Sequence, residues 1–260
     1  MPRRLAAHFL PELTSPAELA GGTVAVIDVL RATTTITQAL ASGASEVIPC
    51  LEIDEARRVA ARLPTGRAVL GGERGGLRIA GFDLGNSPSE YTIEAVGGRT
   101  VVCTTTNGTK AMLACREARR VVVAALVNLG AVCRALAGEE VIHLLCAGTR
   151  GRITREDVLT AGGIACLLTA EDPSAFELND EAAIAKSAWL EATGGASADV
   201  SRSRLVTELH RSQGGRDLAA IGLDHDIVDV AQLDRLDCVG ELDLAAWSIR
   251  LRGKSRARSV

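Results

Sequence analysis

The chain has 260 residues, of which 47% are hydrophobic, and its 29 basic and 32 acidic residues give a formal charge of −3. This balance excludes a disordered chain, which would combine low hydrophobicity with a large net charge. It also argues against a general nucleic-acid binder, which is usually basic and, for single strands, rich in aromatic side chains.

The first third of the chain alternates strand-like and helix-like segments. Residues 23–28 are a short apolar run rich in β-branched residues, which is typical of a buried parallel strand. The predicted elements are, in order, a strand at 23–28, a helix at 34–41, a strand at 46–49, a helix at 53–63, a short strand at 68–70 and a loop at 71–88. The loop is predicted from composition, because it contains six Gly and one Pro.

The alternation then resumes and continues almost to the C-terminus. The predicted elements are strand 100–103, helix 109–116, strand 120–126, helix 129–136, strand 141–146, helix 155–168 with Thr154 as its N-cap, helices 180–192 and 203–219, a strand with turns in 226–239, and a frayed basic tail at 253–260. Strands separated by helices of this length imply crossover connections and a sheet covered on both faces. We therefore expect an α/β fold with three α/β/α layers and a mostly parallel or mixed sheet.

A weak internal repeat runs through this pattern. A strand, the triplet Thr33-Thr34-Thr35, a helix and a strand recur around Thr104-Thr105-Thr106, with a looser third copy at 141–149. Loops at the carboxyl ends of parallel strands face a common crevice, where ligands bind. The repeat predicts either one domain over 1–252 or an internal duplication into similar subdomains at about 20–95 and 96–240.

The compartment is predicted from the N-terminus and the cysteines. The N-terminus has no convincing signal peptide, and no stretch approaches 18 charge-free apolar residues. The seven Cys form no CxxC pair and read as free thiols of a reducing compartment. We expect a cytoplasmic protein without membrane or nucleic-acid partners, and a homodimer.

The first candidate site follows the strand at 23–28. An Asp that ends a buried strand emerges at the crevice, where its carboxylate can bind Mg²⁺ or attack phosphorus. Asp28 has this position, and Arg31 follows at a spacing that lets its guanidinium bind a phosphate or sulfonate. Thr33, Thr34 and Thr35, at the start of the next helix, supply further donors to an anion.

Two more candidate segments lie in the Gly-rich loop and in the second Thr triplet. A long loop in a compact domain is usually functional, and Glu73 and Asp83 are its candidate metal ligands or acid–base groups. The Asn-Gly pair after the triplet favours a tight turn whose N–H groups can bind an anion. This segment comprises Thr104, Thr105, Thr106, Asn107, Gly108 and Thr109, and Gly148 and Thr149 offer a similar cradle after the strand at 141–146.

An alternative chemistry uses a cysteine. Cys146 and Arg152 have the C-x5-R spacing of cysteine-dependent phosphatases, in which a thiolate attacks the phosphorus and an Arg binds the phosphate. The spacing arises easily by chance, and His143 is not adjacent to the Cys as it usually is in those enzymes.

Several long motifs together resemble one family, the 2-phosphosulfolactate phosphatases. They are AVIDVLRATTTI, LGGERGGLRIAGFDLGNSPSEY, VVCTTTNGTKA, CAGTRGRITREDVLTAGGI and SQGGRDLAAIGLDHDI. The similarity runs in order from about Val24 to Val239. One departure is Gly75-Gly76, where the family pattern has Asn-Gly.

The resemblance implies a three-layer α/β/α phosphatase that uses Mg²⁺ to hydrolyse 2-phospho-3-sulfolactate to 3-sulfolactate and phosphate, a step of coenzyme M biosynthesis. Such a multiply charged substrate requires a metal and several donors. We expect catalytic roles for Asp28, Arg31, Glu73 and Arg74, metal ligands among Asp28, Glu73 and Asp83, and substrate contacts from the three Thr loops with Asn86 and Ser87. The alternatives are a phosphatase for another small acidic phosphoester and a non-catalytic binder of small anions.

Overall fold

The computed structural model describes residues 2–195 and 200–251, and the basic tail predicted at 253–260 lies outside these residues. The described residues have the predicted α/β fold, with an 11-stranded mixed sheet and helices on both faces. The strands are β1 (Arg3–His8), β2 (Thr23–Ile27), β3 (Glu46–Cys50), β4 (Ala68–Arg74), β5 (Leu77–Arg78), β6 (Thr100–Thr104), β7 (Arg120–Ala124), β8 (Val141–Cys146), β9 (Phe176–Leu178), β10 (Gly240–Asp243) and β11 (Ser248–Leu251).

The described residues also form eleven α-helices. They are α1 (Pro16–Leu19), α2 (Ala32–Ala41), α3 (Ile53–Ala61), α4 (Ile93–Val96), α5 (Gly108–Ala114), α6 (Leu129–Leu136), α7 (Arg155–Leu168), α8 (Asp180–Thr193), α9 (Arg202–Arg211), α10 (Gln213–Ala220) and α11 (Asp224–Val230). Among the described helices, none is both long and apolar enough to cross a membrane.

The sheet consists of two mainly parallel halves joined by an antiparallel hairpin, and the edge strand β5 is antiparallel to β4. Its order is β5-β4-β6-β3-β11-β10-β7-β2-β8-β1-β9, and the hairpin β10–β11 lies between β3 and β7. The junction is short, because β11 pairs with β3 at one position, Ile249 opposite Val47. The two halves thus share one sheet with little pairing between them.

Helices α2 and α5 lie in the core that both halves share. Val26 of β2, Val101 of β6, Ile36 of α2 and Met112 of α5 belong to one buried cluster. The chain passes from β2 through α2 to β3, and from β6 through α5 to β7, so that each helix connects one half of the sheet to the other. This arrangement brings the first turns of α2 and α5 together. A Cβ on Gly108 would lie only 2.7 Å from the Cβ of Ala32.

The same connectivity bears on the predicted duplication. β2 pairs with β7 and β3 pairs with β6, so strands of the segments 20–95 and 96–240 interleave in the sheet. The structure does not confirm an internal duplication, and the two-subdomain division stays a prediction.

Three predicted elements were wrong in type or extent. The segment 71–88 is not all loop, because β4 continues to Arg74 and turns at Gly75-Gly76, both at positive φ, into β5. The helix predicted at 203–219 is two helices, because the Ser212 hydroxyl accepts from the Gly215 amide and caps a new helix. The region 226–239 holds helix α11 rather than a strand, and β1, β9, β10 and β11 were not predicted.

Candidate active site

A cleft opens where β2, β6 and β8 end, and α10 covers one side of it. The segments that follow these three strands meet there, at the carboxyl ends of parallel strands, where the sequence placed the candidate loops. The cleft is lined by Asp28, Leu30, Arg31, Glu73, Gly75, Gly76, Asn86, Thr105, Thr106, Asn107, Thr149, Arg150, Gly214, Asp217, Leu218 and Ile221.

Asp28 forms the buried floor of the cleft. It directly follows β2, and the first turn of α2 presents the Ala32 amide to its carboxylate, with Ala32 N 3.4 Å from Asp28 Oδ1. Asp28 Oδ2 lies beside Gly108, and a Cβ added to Gly108 would be only 2.9 Å from that oxygen. The pKa of Asp28 is raised to about 7, chiefly by burial and also by the nearby carboxylates of Glu73 and Glu156, while hydrogen bonds from the Ala32 and Gly108 amides oppose the shift. An electropositive partner at this carboxylate would therefore be strongly favoured.

Arg31 is held in the cleft wall by three partners. Its Nη1 donates to Asp226 Oδ2 at 2.5 Å and to Ser87 Oγ at 3.1 Å, and its Nη2 donates to the Gly76 carbonyl at 2.6 Å. Ser87 Oγ also donates to Asp226 Oδ2 at 2.8 Å. The predicted residue Ser87 therefore orients Arg31 from behind and does not line the cleft, whereas Asn86 does.

Glu73 connects two loops of the cleft. Its Oε1 accepts from the Thr106 amide at 3.0 Å and the Thr106 hydroxyl at 2.8 Å, and its Oε2 accepts from the Gly76 amide at 2.8 Å. The β4–β5 turn and the loop after β6 are thus fixed relative to each other by one carboxylate. That carboxylate also lies close enough to Asp28 to influence its pKa.

Arg74 and Asp83 do not reach the cleft, contrary to their predicted roles. Successive strand residues point to opposite faces, so with Glu73 in the cleft the Arg74 guanidinium turns away and donates to the Leu51 carbonyl and to Thr104 Oγ1. Asp83 is exposed, and its Oδ2 accepts from the Leu70 amide at 2.8 Å. Both side chains stabilise the loops around β4.

The first Thr triplet also differs from its predicted role. α2 begins at Ala32, so all three residues lie in the first turns of a buried helix. The Thr33 hydroxyl donates to the Asp28 carbonyl, and the Thr34 hydroxyl donates to the Val29 carbonyl. The Thr35 hydroxyl donates to the Asn86 carbonyl. These hydroxyls are therefore engaged by the backbone. Thr104 likewise donates to the Leu51 carbonyl.

The second and third loops keep more of their predicted residues at the cleft. Thr105, Thr106, Asn107 and Thr149 line it. Gly108, which begins α5, lies against Asp28. The two remaining predicted residues lie behind these loops: Thr109 Oγ1 is 3.4 Å from Thr105 Oγ1, and the Gly148 amide donates to Asp157 at 3.0 Å.

Two acidic residues that sequence reasoning missed support the cleft from below. Asp157 accepts from the Val29 and Gly148 amides at 2.9 and 3.0 Å, which joins the loops after β2 and β8. Glu156 is buried against Gly214, and among the described residues its Oε2 has no hydrogen-bond partner. Burial raises the pKa of both carboxyls. Acidic residues in the first turn of a helix such as α7 usually indicate only dipole stabilisation, so no local signal pointed to this role.

The cysteine alternative conflicts with the structure. Cys146 is the last residue of β8, it is fully buried, and it does not line the cleft. Burial raises the pKa of its thiol well above the usual value, with Asp157 and Glu156 adding to the shift. The Arg152 side chain is exposed and outside the cleft. The site therefore lacks the thiolate that such a mechanism needs.

The charges lining the cleft determine what it can hold. The lining has three carboxylates, Asp28, Glu73 and Asp217, against two guanidiniums, Arg31 and Arg150. No group of three or more His, Cys, Asp or Glu side chains in the described parts of the chain is placed to enclose a metal ion. One or two carboxylates with water and substrate phosphate is the usual Mg²⁺ environment, so Asp28 and Glu73 fit that ion better than one that needs a full protein cage.

Comparison with known proteins identifies relatives across nearly the whole chain. The family model for 2-phosphosulpholactate phosphatase matches residues 8–244. A protein of Symbiobacterium thermophilum is 42% identical over 220 residues, which cover 84% of this chain and 90% of the relative. One of Deinococcus radiodurans is 44% identical over 234 residues (88% and 89%), and one of Carboxydothermus hydrogenoformans is 37% identical over 235 residues (90% and 90%). All three are described as "probable 2-phosphosulfolactate phosphatase".

Proposed function

The chain belongs to the 2-phosphosulpholactate phosphatase family, and from that premise we propose that it hydrolyses 2-phospho-3-sulfolactate to 3-sulfolactate and phosphate with Mg²⁺ as cofactor. The observation that carries the proposal is the position of Asp28. A buried carboxylate of raised pKa lies at the floor of the cleft, between the first turns of α2 and α5. Every residue that lines the cleft lies within the segment that the family model matches.

The excess of carboxylates in the cleft supports the metal part of the proposal. A substrate with phosphate, carboxylate and sulfonate groups would be repelled by Asp28, Glu73 and Asp217 unless positive charge were added. Asp28 and Glu73 would hold Mg²⁺. When bound, the ion would offset the negative charge of the phosphoryl oxygens and polarise the phosphorus centre.

The protein's own groups would orient the phosphoryl group. Arg31 is rigid, because Asp226, Ser87 and the Gly76 carbonyl fix its guanidinium, and it lines the cleft, so its remaining N–H donors would serve the phosphoryl group. Pre-oriented donors of this kind stabilise charge that develops in the transition state without reorganisation. The ionised form of Asp28 is required both as a metal ligand and as a nucleophile, and both roles stay open in the proposal.

Glu73 and Asp157 would maintain the geometry of the reaction site. Glu73 fixes the loop of Thr106 to the β4–β5 turn, and Asp157 fixes the loops after β2 and β8. Displacements of about 1 Å in such loops reduce catalysis strongly, because reacting groups must be aligned. In a host that makes coenzyme M, the proposed reaction would be a step of that pathway.

Phosphate release from 2-phosphosulfolactate tests the proposal. We expect release in Mg²⁺ buffer, loss of release with EDTA, and recovery when Mg²⁺ is restored in excess. 2-Phospholactate and 3-phosphoglycerate serve as comparison substrates, and we expect a lower kcat/KM for each. Release that EDTA does not affect would overturn the metal assignment. Faster release from a comparison substrate would overturn the substrate assignment.

A further inference from the structure

The cleft contains one arginine whose guanidinium is largely exposed. Arg31 is buried and neutralised by Asp226, and Arg74 points away from the cleft. The side chain of Arg150 is 68% exposed, and its ion pair with Asp217, at 3.6 Å from Nη2 to Oδ2, is beyond hydrogen-bond distance. Arg150 can therefore bind an incoming anion without breaking a buried contact.

The backbone holds Arg150 over the cleft in a strained conformation. Arg150 has a φ of +54°, which is unfavourable for a residue other than Gly. It lies in a tight turn in which the Thr149 amide donates to the Arg152 carbonyl at 2.9 Å. The Arg150 amide also donates to Asn107 Oδ1 at 3.2 Å, which ties the turn to the loop after β6. Such strain is found mostly at sites where a side chain must be held in place.

Burial separates the two ends of the cleft. Asp28 is 6% exposed and forms the floor, whereas Arg150 lies at the rim. In the proposed substrate the carboxylate carbon is attached to the carbon that bears the phosphate, and the sulfonate is one carbon further away. With the phosphoryl group at Asp28, the sulfonate is the acid group that reaches furthest towards the rim. A guanidinium suits it, because its planar set of donors can pair with two of the three sulfonate oxygens.

We propose that Arg150 is the residue that recognises the sulfonate and so determines the substrate specificity of the cleft. This assignment rests on the proposed function. It adds which acid group of the substrate binds at each end of the cleft. The exposed Arg150 exchanges its long contact with Asp217 for the substrate. Arg31, already paired, remains with the phosphoryl end.

The substitution Arg150→Gly tests the assignment without endangering the fold, because Gly adopts a positive φ without strain. With 2-phosphosulfolactate we expect kcat/KM to fall about 10- to 100-fold, mainly through KM, as is typical of a lost charged hydrogen bond. Arg150→Lys keeps the positive charge but not the planar set of donors, and it should give an intermediate kcat/KM. Arg152→Ala, which removes an exposed arginine outside the cleft, is the matched control and should keep the wild-type KM.

Two substrate analogues separate the acid groups. The phosphate ester of isethionate keeps the sulfonate and lacks the carboxylate, so Arg150→Gly should again lose about 10- to 100-fold. 2-Phospholactate keeps the carboxylate and lacks the sulfonate, so the loss should be at least about tenfold smaller. Equal losses on all three substrates, or the reverse pattern, would overturn the sulfonate assignment while the proposed function stands. Absence of phosphate release from 2-phosphosulfolactate by the wild-type protein would overturn both.

Discussion

Arg31 and Asp226, 195 residues apart in the chain, form an ion pair with Nη1 2.5 Å from Oδ2 and with side chains that are 2% and 0% exposed. The pair joins the turn after β2 to α11, the last described helix. Because neither charge is solvated, each requires the other. Asp226 therefore acts as a positioning residue for Arg31, and the C-terminal part of the chain helps to shape the cleft.

Replacing one member of this pair should destabilise the protein, and replacing both should separate stability from activity. Asp226→Ala leaves a buried guanidinium unpaired and should lower the free energy of unfolding by about 3–5 kcal/mol. The double variant Arg31→Met with Asp226→Leu should recover at least half of that loss in denaturant titrations, yet release no phosphate. Wild-type-like turnover by the double variant would show that Arg31 does not contact the phosphoryl group.

The Mg²⁺ requirement should depend on Glu73 and not on Asp83. Because loss of a group that only supports a metal ligand already weakens metal affinity 10- to 100-fold, Glu73→Gln should raise the Mg²⁺ concentration for half-maximal activity at least about tenfold. Asp83→Asn is the matched control, since that exposed carboxylate bonds the Leu70 amide outside the cleft. An unchanged Mg²⁺ dependence in Glu73→Gln would show that Glu73 does not bind the metal and only holds the loop of Thr106.

The buried thiol at the end of β8 should be dispensable for the chemistry. Cys146→Ala keeps an apolar side chain in an apolar site, so we expect a kcat within about twofold of wild type and a modest loss of stability, of about 1 kcal/mol. A thiol-alkylating reagent should not modify Cys146 in the folded wild-type protein, because the thiol is inaccessible. Inactivation of Cys146→Ala with an unchanged melting temperature would revive the thiolate mechanism.

Stability should fall in mild acid because of His143. Its Nδ1 is 3.0 Å from His8 Nε2, and burial, with the positive charges of His8 and Arg4, lowers the pKa of His143 to about 4. Between pH 6.5 and pH 4 the unfolded chain binds a proton that the folded ring does not, so the unfolding free energy decreases as pH falls.

The slope from this one group is at most about 1.4 kcal/mol per pH unit. His143→Gln should flatten the pH dependence of denaturant unfolding in this window, and His210→Gln is the matched control. An unchanged slope in His143→Gln would assign the acid sensitivity to other groups.

Local sequence signals predicted the fold class, and they predicted the bounds of an element well where its ends carry clear turn or capping residues. The boundaries of α6, α7 and β8 agree with the structure, because each is an apolar run bounded by turn or capping residues. The predicted strand ended before β4 does, because the pair Gly71-Gly72 is typical of a turn. Gly72 is required within the strand, since a Cβ on it would lie 2.3 Å from the Thr104 carbonyl oxygen. That error assigned Arg74 to a loop and thus to the site.

The site was only partly predictable. Asp28 and Arg31 follow from their positions after a predicted strand, and Glu73 from its place in the predicted Gly-rich loop. Asp157 and Asp226 do not, because their partners Val29 and Arg31 are 128 and 195 residues away and only the tertiary fold brings them together. The hydroxyls of Thr33–Thr35 were misassigned because α2 begins two residues earlier than predicted, and buried hydroxyls in a first helical turn bond to nearby carbonyls.

The central claim, that this cleft hydrolyses the phosphate ester with the Asp28 carboxylate, is tested most directly by one comparison. Phosphate release from 2-phosphosulfolactate is measured for the wild-type protein and Asp28→Asn in the same Mg²⁺ buffer, alongside the melting temperature of each. We expect turnover by the wild type and a loss of at least about 1,000-fold in Asp28→Asn. The melting temperature should be retained, because Asn is isosteric and carries no buried charge. Wild-type-like release by Asp28→Asn, or none by the wild-type protein, would contradict the account.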